Sequence, residues 1–171
     1  MTTDTDADAD APAAALPPTR RGGAAGSGLD QSVLSHVLGY QLARASIHTR
    51  AAFHHAIGEP LQLRPVEFTI LQLLRHNLRA TQKQLVRALA ITAPGMTVLL
   101  DRLEARGLLR RERNAQDKRS VFVLLTEAGE DLAATSLQAS LNMETELLRA
   151  LSPAERMMLF ELLDRVARAP R

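Results

Sequence analysis

The sequence predicts a mainly helical fold that carries one small β-hairpin, an α+β arrangement with helices at both ends. Aromatic residues make up only 3% of the 171 residues, and leucine and alanine supply most of the apolar side chains. This composition favours helices over sandwiches or barrels. Apolar residues recur at steps of three and four along most of the chain, and only the stretch near residues 108–125 changes to the short apolar runs typical of strands.

The chain is predicted to begin with a disordered tail and to continue as a single domain. Residues 1–28 are rich in Ala, Asp, Pro and Gly, so they cannot bury enough apolar surface to offset the entropy of ordering. Residues 29–171 are assigned to one domain, which opens with a long helix over residues 30–57. Gly58 and Pro60 are expected to end that helix.

Three more helices are predicted in the middle of the chain. The second begins at Pro65, a favourable first-turn residue, and runs to about Asn77. The third opens on a capping box at residues 81–84, and the fourth begins at about Ala93 and ends at Gly107. Side chains of the third and fourth helices that are expected to face the core are Leu85, Val86, Leu89, Met96, Leu99, Leu100 and Leu103.

A hairpin and two helices are predicted to complete the domain. Strands over Leu108–Arg113 and Ser120–Leu125 flank a polar, basic loop and together form a wing. Thr126 is expected to cap a long helix to about Ala150, and a capping box at Ser152 opens the last helix. The side chains that the last helix is expected to bury are Met158, Leu159, Leu162, Leu163 and Val166.

Charge is distributed unevenly along a chain whose net charge is only +2. Residues 64–119 contain twelve basic and five acidic residues, a net charge of +7, whereas residues 1–30 have a net charge of −3. A basic block inside a folded segment indicates a polyanionic partner. The alternative is an ordinary solvated face, which is the commoner explanation for any single arginine.

Several function classes are excluded or disfavoured. The chain contains no cysteine, so disulfides, thiol catalysis and cysteine-ligated zinc are ruled out. No glycine-rich phosphate loop, nucleophile elbow or paired His–Glu zinc motif is present, so we expect neither an enzyme nor a cofactor. The five histidines include no pair four residues apart, which disfavours a metal site. No apolar run approaches the roughly 20 residues of a membrane span, and the acidic start is unlike a signal peptide, so a cytoplasmic location is expected.

Five motifs follow one another between residues 63 and 132. They are Leu63-Arg-Pro-Val-Glu-Phe-Thr-Ile-Leu71, Thr81-Gln-Lys-Gln-Leu85, Leu100-Asp-Arg-Leu-Glu-Ala-Arg-Gly-Leu108, Asp117-Lys-Arg119 and Leu125-Thr-Glu-Ala-Gly129. In order and spacing this stretch resembles the multiple antibiotic resistance regulator (MarR) family of winged helix-turn-helix transcriptional regulators. The resemblance implies a DNA-binding lobe at about residues 63–126 and dimerisation helices at about residues 30–57 and 127–168.

The resemblance implies that the fourth helix enters the major groove of double-stranded DNA, as an α-helix can. Polar side chains of the third helix are expected to contact phosphate, and the wing the minor groove or flanking phosphates. The residues expected to bind DNA are Thr81, Lys83, Gln84, Arg87, Thr92, Ala93, Pro94, Gly95, Thr97, Arg102, Arg113, Asp117, Lys118 and Arg119.

The start of the fourth helix departs from the family, which often has Ser and Thr where this chain has Ala93-Pro-Gly95. Readout is therefore expected to rest on Thr92, Thr97, apolar contact with thymine methyl groups, the wing and DNA shape. In the wing, the resemblance implies that Asp117 orients Arg102 or Arg119 through a charge-assisted hydrogen bond. The alternative is that this aspartate only forms a turn.

The resemblance also implies an effector pocket near the first and second helices, often for aromatic acids. Cationic side chains beside aromatic rings are suited to bind a planar ligand that carries a carboxylate. The alternative is that each of these side chains is a packing residue or a surface charge, which is the commoner role. The residues expected to bind the ligand are Tyr40, Arg44, His48, Phe53, His54, Phe68 and Arg75. Residues 39–71 are also similar to regulators of aromatic and N-heterocyclic acid degradation.

The terminal helices have an apolar face that they cannot bury alone, so a homodimer with an interface from residues 30–57 and 130–168 is expected. Such a dimer would place two recognition helices about 34–36 Å apart on a palindromic operator. The predicted function is that of a sequence-specific transcriptional regulator, a repressor that leaves its operator when a small aromatic acid binds. The main alternative is a DNA organiser that binds any duplex similarly.

Overall fold

The computed structural model describes residues 29–113 and 121–169, and the chain divides between residues 43 and 44 into two compact units. The predicted tail lies outside the described residues, and so do residues 114–120, which include the predicted wing loop and the first residue of the predicted second strand. The described part is mainly helical with one small antiparallel sheet, which confirms the predicted fold class. None of its helices is both long and apolar enough to cross a membrane.

The first unit contains a short 3-10 turn at Ser32–Leu34, and helix α1 spans Leu38–Phe53. The carboxylate of Asp30 accepts a hydrogen bond from the Ser32 N–H at 2.9 Å, which favours a turn over a regular helix at this point. The prediction of one helix from residue 30 is therefore wrong at its start. A π-helical turn, His54–Gly58, follows α1.

The helices of the second unit begin where local capping signals predict. Their bounds are α2 Pro65–His76, α3 Gln82–Leu89, α4 Ala93–Ala105, α5 Glu127–Asn142 and α6 Pro153–Ala167. The side-chain hydroxyls of Thr81, Thr126 and Ser152 each accept a backbone N–H of the helix that follows, so these three predicted caps are confirmed.

Three strands form the sheet, in the order β1-β3-β2. Strands β2 (Leu109–Arg113) and β3 (Val121–Leu125) form the predicted antiparallel hairpin, with Arg111 opposite Val123. Strand β1 (Ala80–Thr81) pairs with the other edge of β3 and was not predicted. Two residues are too few to show a strand period, so only the pairing reveals this strand.

A tight turn joins α4, β2 and the start of α5. Gly107 has a left-handed backbone with φ of 70°, as expected for the residue after a helix. The Thr126 hydroxyl donates to the Gly107 carbonyl at 2.6 Å. A Cβ added to Gly129 would lie 1.9 Å from the Leu108 carbonyl oxygen, so only glycine lets α5 approach this turn so closely.

The core of the second unit lies between α2, α4, α5 and the sheet. Met96, Leu100 and Leu103 are fully buried as predicted, while Leu99 is partly buried. On α3, Leu85 is buried, and its predicted companions Val86 and Leu89 are partly buried.

Two predictions for the C-terminal helices are wrong. Helix α5 ends at Asn142, and a separate 3-10 turn spans Leu147–Ala150, because apolar spacing alone does not distinguish a continuous helix from a helix followed by a turn. Helix α6 buries no residue: Met158, Leu159, Leu162 and Val166 are exposed, and Leu163 is partly exposed. Within residues 29–113 and 121–169, no other element buries the apolar side chains of this helix.

Candidate nucleic-acid interface and ligand cavity

Helices α3 and α4 form the helix-turn-helix, and α3 presents two cations to solvent. Lys83 and Arg87 are exposed and lie one turn apart on the same helix face. Thr81 and Gln84, by contrast, bond to each other. The Thr81 N–H and hydroxyl donate to Gln84 Oε1 at 2.7 and 2.9 Å. Part of the hydrogen-bonding capacity of these two residues is therefore already used to stabilise the start of α3.

The N-terminal half of α4 is exposed but offers few free donors. The Thr92 hydroxyl accepts from the Gly95 N–H at 3.3 Å, while Ala93 and Pro94 are exposed beside it. The Thr97 hydroxyl donates to the Ala93 carbonyl at 3.1 Å and accepts from Gln82 Nε2 at 2.8 Å. The only proton of this hydroxyl is therefore used inside the protein.

Arg102 lies on a different side of α4 from these residues. Its Nη1 donates to Oε1 of Glu67 at 3.3 Å, and Glu67 is only 1% exposed. The other carboxylate oxygen of Glu67 accepts from the Arg64 N–H at 2.9 Å and lies 4.0 Å from Nη1 of Arg106. DNA binding by Arg102 stays a prediction, and its partner in the structure is a buried carboxylate on α2.

Arg111 joins the wing strand β2 to α4. Its two terminal nitrogens lie 2.7 Å from Asp101 and 2.8 Å from Glu104, so one guanidinium pairs with two carboxylates of α4. Arg113 is exposed at the end of β2, where the described part of the wing stops. The predicted wing contacts Asp117, Lys118 and Arg119 lie outside the described residues.

An open cavity of about 630 Å³ lies next to Glu67, Arg102 and Arg106, which form part of its wall. It is bounded by the end of α1, the π-helical turn, the start of α2 and the C-terminal end of α4. The residues that line it are Arg50, Phe53, His54, Gly58, Gln62, Leu63, Arg64, Pro65, Glu67, Arg102 and Arg106. Four of them are arginines and one is a glutamate, so the lining is basic.

Two of the predicted ligand-binding residues, Phe53 and His54, line this cavity. Phe68 packs edge-on against Phe53 with ring centroids 5.7 Å apart, so it supports the wall of the cavity from behind. Arg75 pairs with Glu130 at 3.6 Å instead.

The remaining predicted ligand residues lie elsewhere on the chain. Arg44 and His48 are exposed on α1, and neither is among the described residues that line the cavity. Tyr40 belongs to the first unit, where its hydroxyl donates to Gln31.

The residues that the sequence predicted to bind the ligand include none of the four arginines that line the cavity. Arg50 lies one turn before Phe53 and His54, so helical spacing was a signal that could have identified it. Arg102 and Arg106 carried no such signal, because they come from a helix that begins 28 residues after α2 does and reach the cavity only through packing. Among the described residues, no group of three His, Asp or Glu side chains could hold a metal ion.

Comparisons with known proteins agree with this architecture. Residues 61–120 match the model of the MarR family. The structure is similar to a transcriptional repressor, CouR, bound to a 23-mer DNA duplex, with 34% identity, a TM-score of 0.76 and coverage of 83% of this chain and all of that chain. CouR has also been solved bound to p-coumaroyl-CoA.

Two further relatives extend the comparison. The regulator BpsR of Bordetella bronchiseptica, whose DNA binding is regulated by 6-hydroxynicotinic acid, is 29% identical with a TM-score of 0.73 over 80% of this chain and 96% of its own. The transcriptional regulator HosA of Escherichia coli O157:H7 is 28% identical over 127 residues, which are 74% of this chain and 92% of that protein.

Proposed function

Because the chain belongs to the MarR family of winged-helix transcriptional regulators, we propose that it is a homodimeric repressor that leaves a palindromic operator when an aromatic carboxylate binds. The relatives described above are regulators rather than enzymes. The observation that carries the proposal is the position of α4. Its N-terminal half is exposed, as a helix in the major groove must be, while Arg102 and Arg106 at its other end line a cavity.

Exposed apolar side chains support the dimer. In the first unit they include Val33, Leu34, Val37, Leu38 and Leu42, and in the second Leu141, Leu147, Met157, Met158, Leu159, Phe160, Leu162 and Val166. Monomeric proteins rarely expose so many large apolar residues together on particular helices. A two-fold dimer would cover them and would space two recognition helices for a palindrome.

The cavity is the proposed effector site. Its four arginines and one glutamate give the lining a net charge of +3, which favours an anionic ligand. A guanidinium can hold a carboxylate through two parallel hydrogen bonds, and Phe53 offers a ring face or edge to a planar ligand. The BpsR effector, 6-hydroxynicotinic acid, is an aromatic carboxylate of this kind.

Competition for arginine explains how such a ligand would act on α4. The carboxylate of Glu67 forms an ion pair with Arg102 and lies near Arg106, so it links the end of α4 to α2. A ligand carboxylate in the cavity would bind one or both guanidiniums and weaken this link. The ligand would then bind a state of α4 that differs from the DNA-binding state, which is what release requires.

The effector assignment is tested with aromatic carboxylates and two arginine variants. Full-length protein is screened by thermal shift against these acids, and each hit is added to a gel shift on the duplex upstream of the protein's own gene. Arg50→Ala is expected to weaken binding of a hit about tenfold or more, since it removes one charged hydrogen bond at the cavity. Arg110→Ala removes the same charge at an exposed position outside the cavity and should leave binding unchanged.

Three results would contradict this assignment. They are an unchanged affinity in Arg50→Ala, an equal loss in both variants, and a stabilising acid that leaves the duplex bound. The gel shift also separates the repressor from a DNA organiser, because an organiser would bind an unrelated duplex of equal length with the same affinity.

The dimer is tested by light scattering after gel filtration. Leu162→Glu places a charge on the exposed apolar face of α6 and should shift the mass toward that of one chain. Arg110→Gln changes the net charge by the same amount at an exposed position outside residues 30–57 and 130–168, and should leave the mass unchanged. A wild-type mass equal to one chain would overturn the dimer.

A further inference from the structure

We propose that α4 recognises thymine through its methyl group, using an exposed apolar patch formed by Pro94, Thr97 and Val98. The inference rests on the proposed binding of operator DNA and adds which side chains of the helix contact the thymine methyl groups that the sequence led us to expect. Val98 was not among the residues that the sequence predicted to bind DNA.

The patch lies on the side of α4 that faces away from the core. At 100° per residue, these three side chains fall on the face opposite Met96, Leu100 and Leu103, which are fully buried. The side chain of Val98 is 59% exposed, although valine is one of the residue types most often buried. An exposed valine between exposed neighbours on the candidate recognition helix is suited to an apolar contact.

The polar groups on this face are already bonded within the protein. The proton of the Thr97 hydroxyl goes to the Ala93 carbonyl, and the γ-methyl group is the apolar part of this exposed residue. Asp101 lies on the same face and is held by Arg111 at 2.7 Å. The face therefore offers carbon atoms rather than hydrogen-bond donors.

The major groove contains one apolar feature that matches such a patch. Thymine presents a C5-methyl group there, whereas the other bases present donors and acceptors in the positions that proteins read. Removing a methyl group from an apolar contact lowers affinity about fourfold, the equivalent of about 0.8 kcal/mol. A helix that offers few free donors can still select thymine by this contact.

The test replaces thymine by deoxyuridine, which pairs in the same way but lacks the methyl group. A tightly bound duplex is first selected from a randomised library with the full-length protein, and each thymine is then replaced in turn. For the wild-type protein, we expect one or two positions in each half-site at which deoxyuridine lowers affinity about fourfold. Val98→Ala should bind the thymine duplex more weakly and lose this discrimination.

Controls separate this contact from other effects. Leu78→Ala removes an 86% exposed apolar side chain outside α4 and should keep the full discrimination. A melting curve and the mass in solution check that Val98→Ala still folds and assembles as the wild type does. A change in mass instead of a change in discrimination would identify the patch as an interface between chains and overturn the proposal.

The remaining outcomes are also decisive. If selection succeeds and deoxyuridine is tolerated at every position, or if Val98→Ala keeps the wild-type discrimination, the methyl readout is wrong while the repressor proposal stands. If selection recovers no preferred duplex, sequence-specific binding fails and the methyl readout fails with it.

Discussion

Glu67 holds Arg102 at 3.3 Å, and this pair connects the start of α2 to the C-terminal end of α4. The carboxylate is 1% exposed, and it also accepts the Arg64 N–H that opens α2. One side chain therefore caps a helix, holds a second helix and forms part of the cavity wall. This arrangement makes Glu67 a determinant of stability as well as of the proposed ligand response.

Glu67→Gln should lower the free energy of unfolding by about 1–3 kcal/mol, because Arg102 and Arg106 lose a charged acceptor whose side chain is almost completely buried. Urea denaturation of the variant and the wild type measures the difference. Glu130→Gln is the matched control, since its ion pair with Arg75 is about half exposed and should contribute less than about 1 kcal/mol. Equal effects of the two changes would contradict the role assigned to Glu67.

Gly129→Ala should destabilise the protein by several kcal/mol or prevent folding, because the new Cβ would lie 1.9 Å from the Leu108 carbonyl oxygen and backbone would have to shift. Thermal melting measures the effect. Gly39→Ala is the control: its Cβ would meet nothing within 4 Å, and α1 should gain about 0.5–1 kcal/mol from the better helix former. A Gly129→Ala variant as stable as the wild type would disprove the close approach of α5.

Arg119→Ala should weaken operator binding by about 1–3 kcal/mol without changing the melting temperature, because the wing arginine is expected to reach the minor groove or its phosphates. Fluorescence anisotropy on the selected duplex measures the affinity. Arg149→Ala, at a position 81% exposed outside the lobe, controls for net charge. Unchanged affinity in Arg119→Ala would remove the wing from the interface.

Operator affinity should fall steeply as salt rises, since each neutralised phosphate adds about 0.9 to the slope of log affinity against log salt. Lys83→Ala should reduce the magnitude of that slope by about 1, because Lys83 is exposed on α3 and is expected to contact phosphate. Val98→Ala changes no charge and should leave the slope unchanged. A flat salt response in the wild type would argue against the basic block as the DNA-binding surface.

Acid should remove one contribution to the stability of α6. The backbone N–H and the hydroxyl of Ser152 both donate hydrogen bonds to the carboxylate of Glu155. The backbone bond first, and the hydroxyl bond second, lower the pKa of this carboxyl below its ordinary value. A carboxyl whose pKa is lowered by folding stabilises the folded state above its unfolded pKa, and that stabilisation disappears as the pH falls through the folded pKa. The difference in urea midpoint between wild type and Glu155→Gln should therefore shrink from pH 7 to pH 3. A difference that stays constant would contradict the capping bond.

Local signals predicted the helix-turn-helix and its boundaries well. Thr81, Thr126 and Ser152 cap their helices because a hydroxyl reaches an N–H only a few residues away, and that geometry needs no distant partner. Apolar spacing, by contrast, gave the wrong prediction for the burial of α6, because most of its apolar side chains are exposed. Apolar spacing shows that a face will be covered but not which chain covers it.

The sequence by itself determined the order of the helices, the hairpin, the left-handed Gly107 and the family, since each depends on short-range hydrogen bonding or on the succession of motifs. Only the tertiary structure decided the composition of the cavity. Arg50, Glu67 and Arg102 come from three separate helices, and their meeting depends on how those helices pack. For the recognition helix, tertiary packing decided that Val98 stays exposed. The bond that uses the proton of the neighbouring Thr97 hydroxyl lies within the helix, to the carbonyl of Ala93 four residues before it.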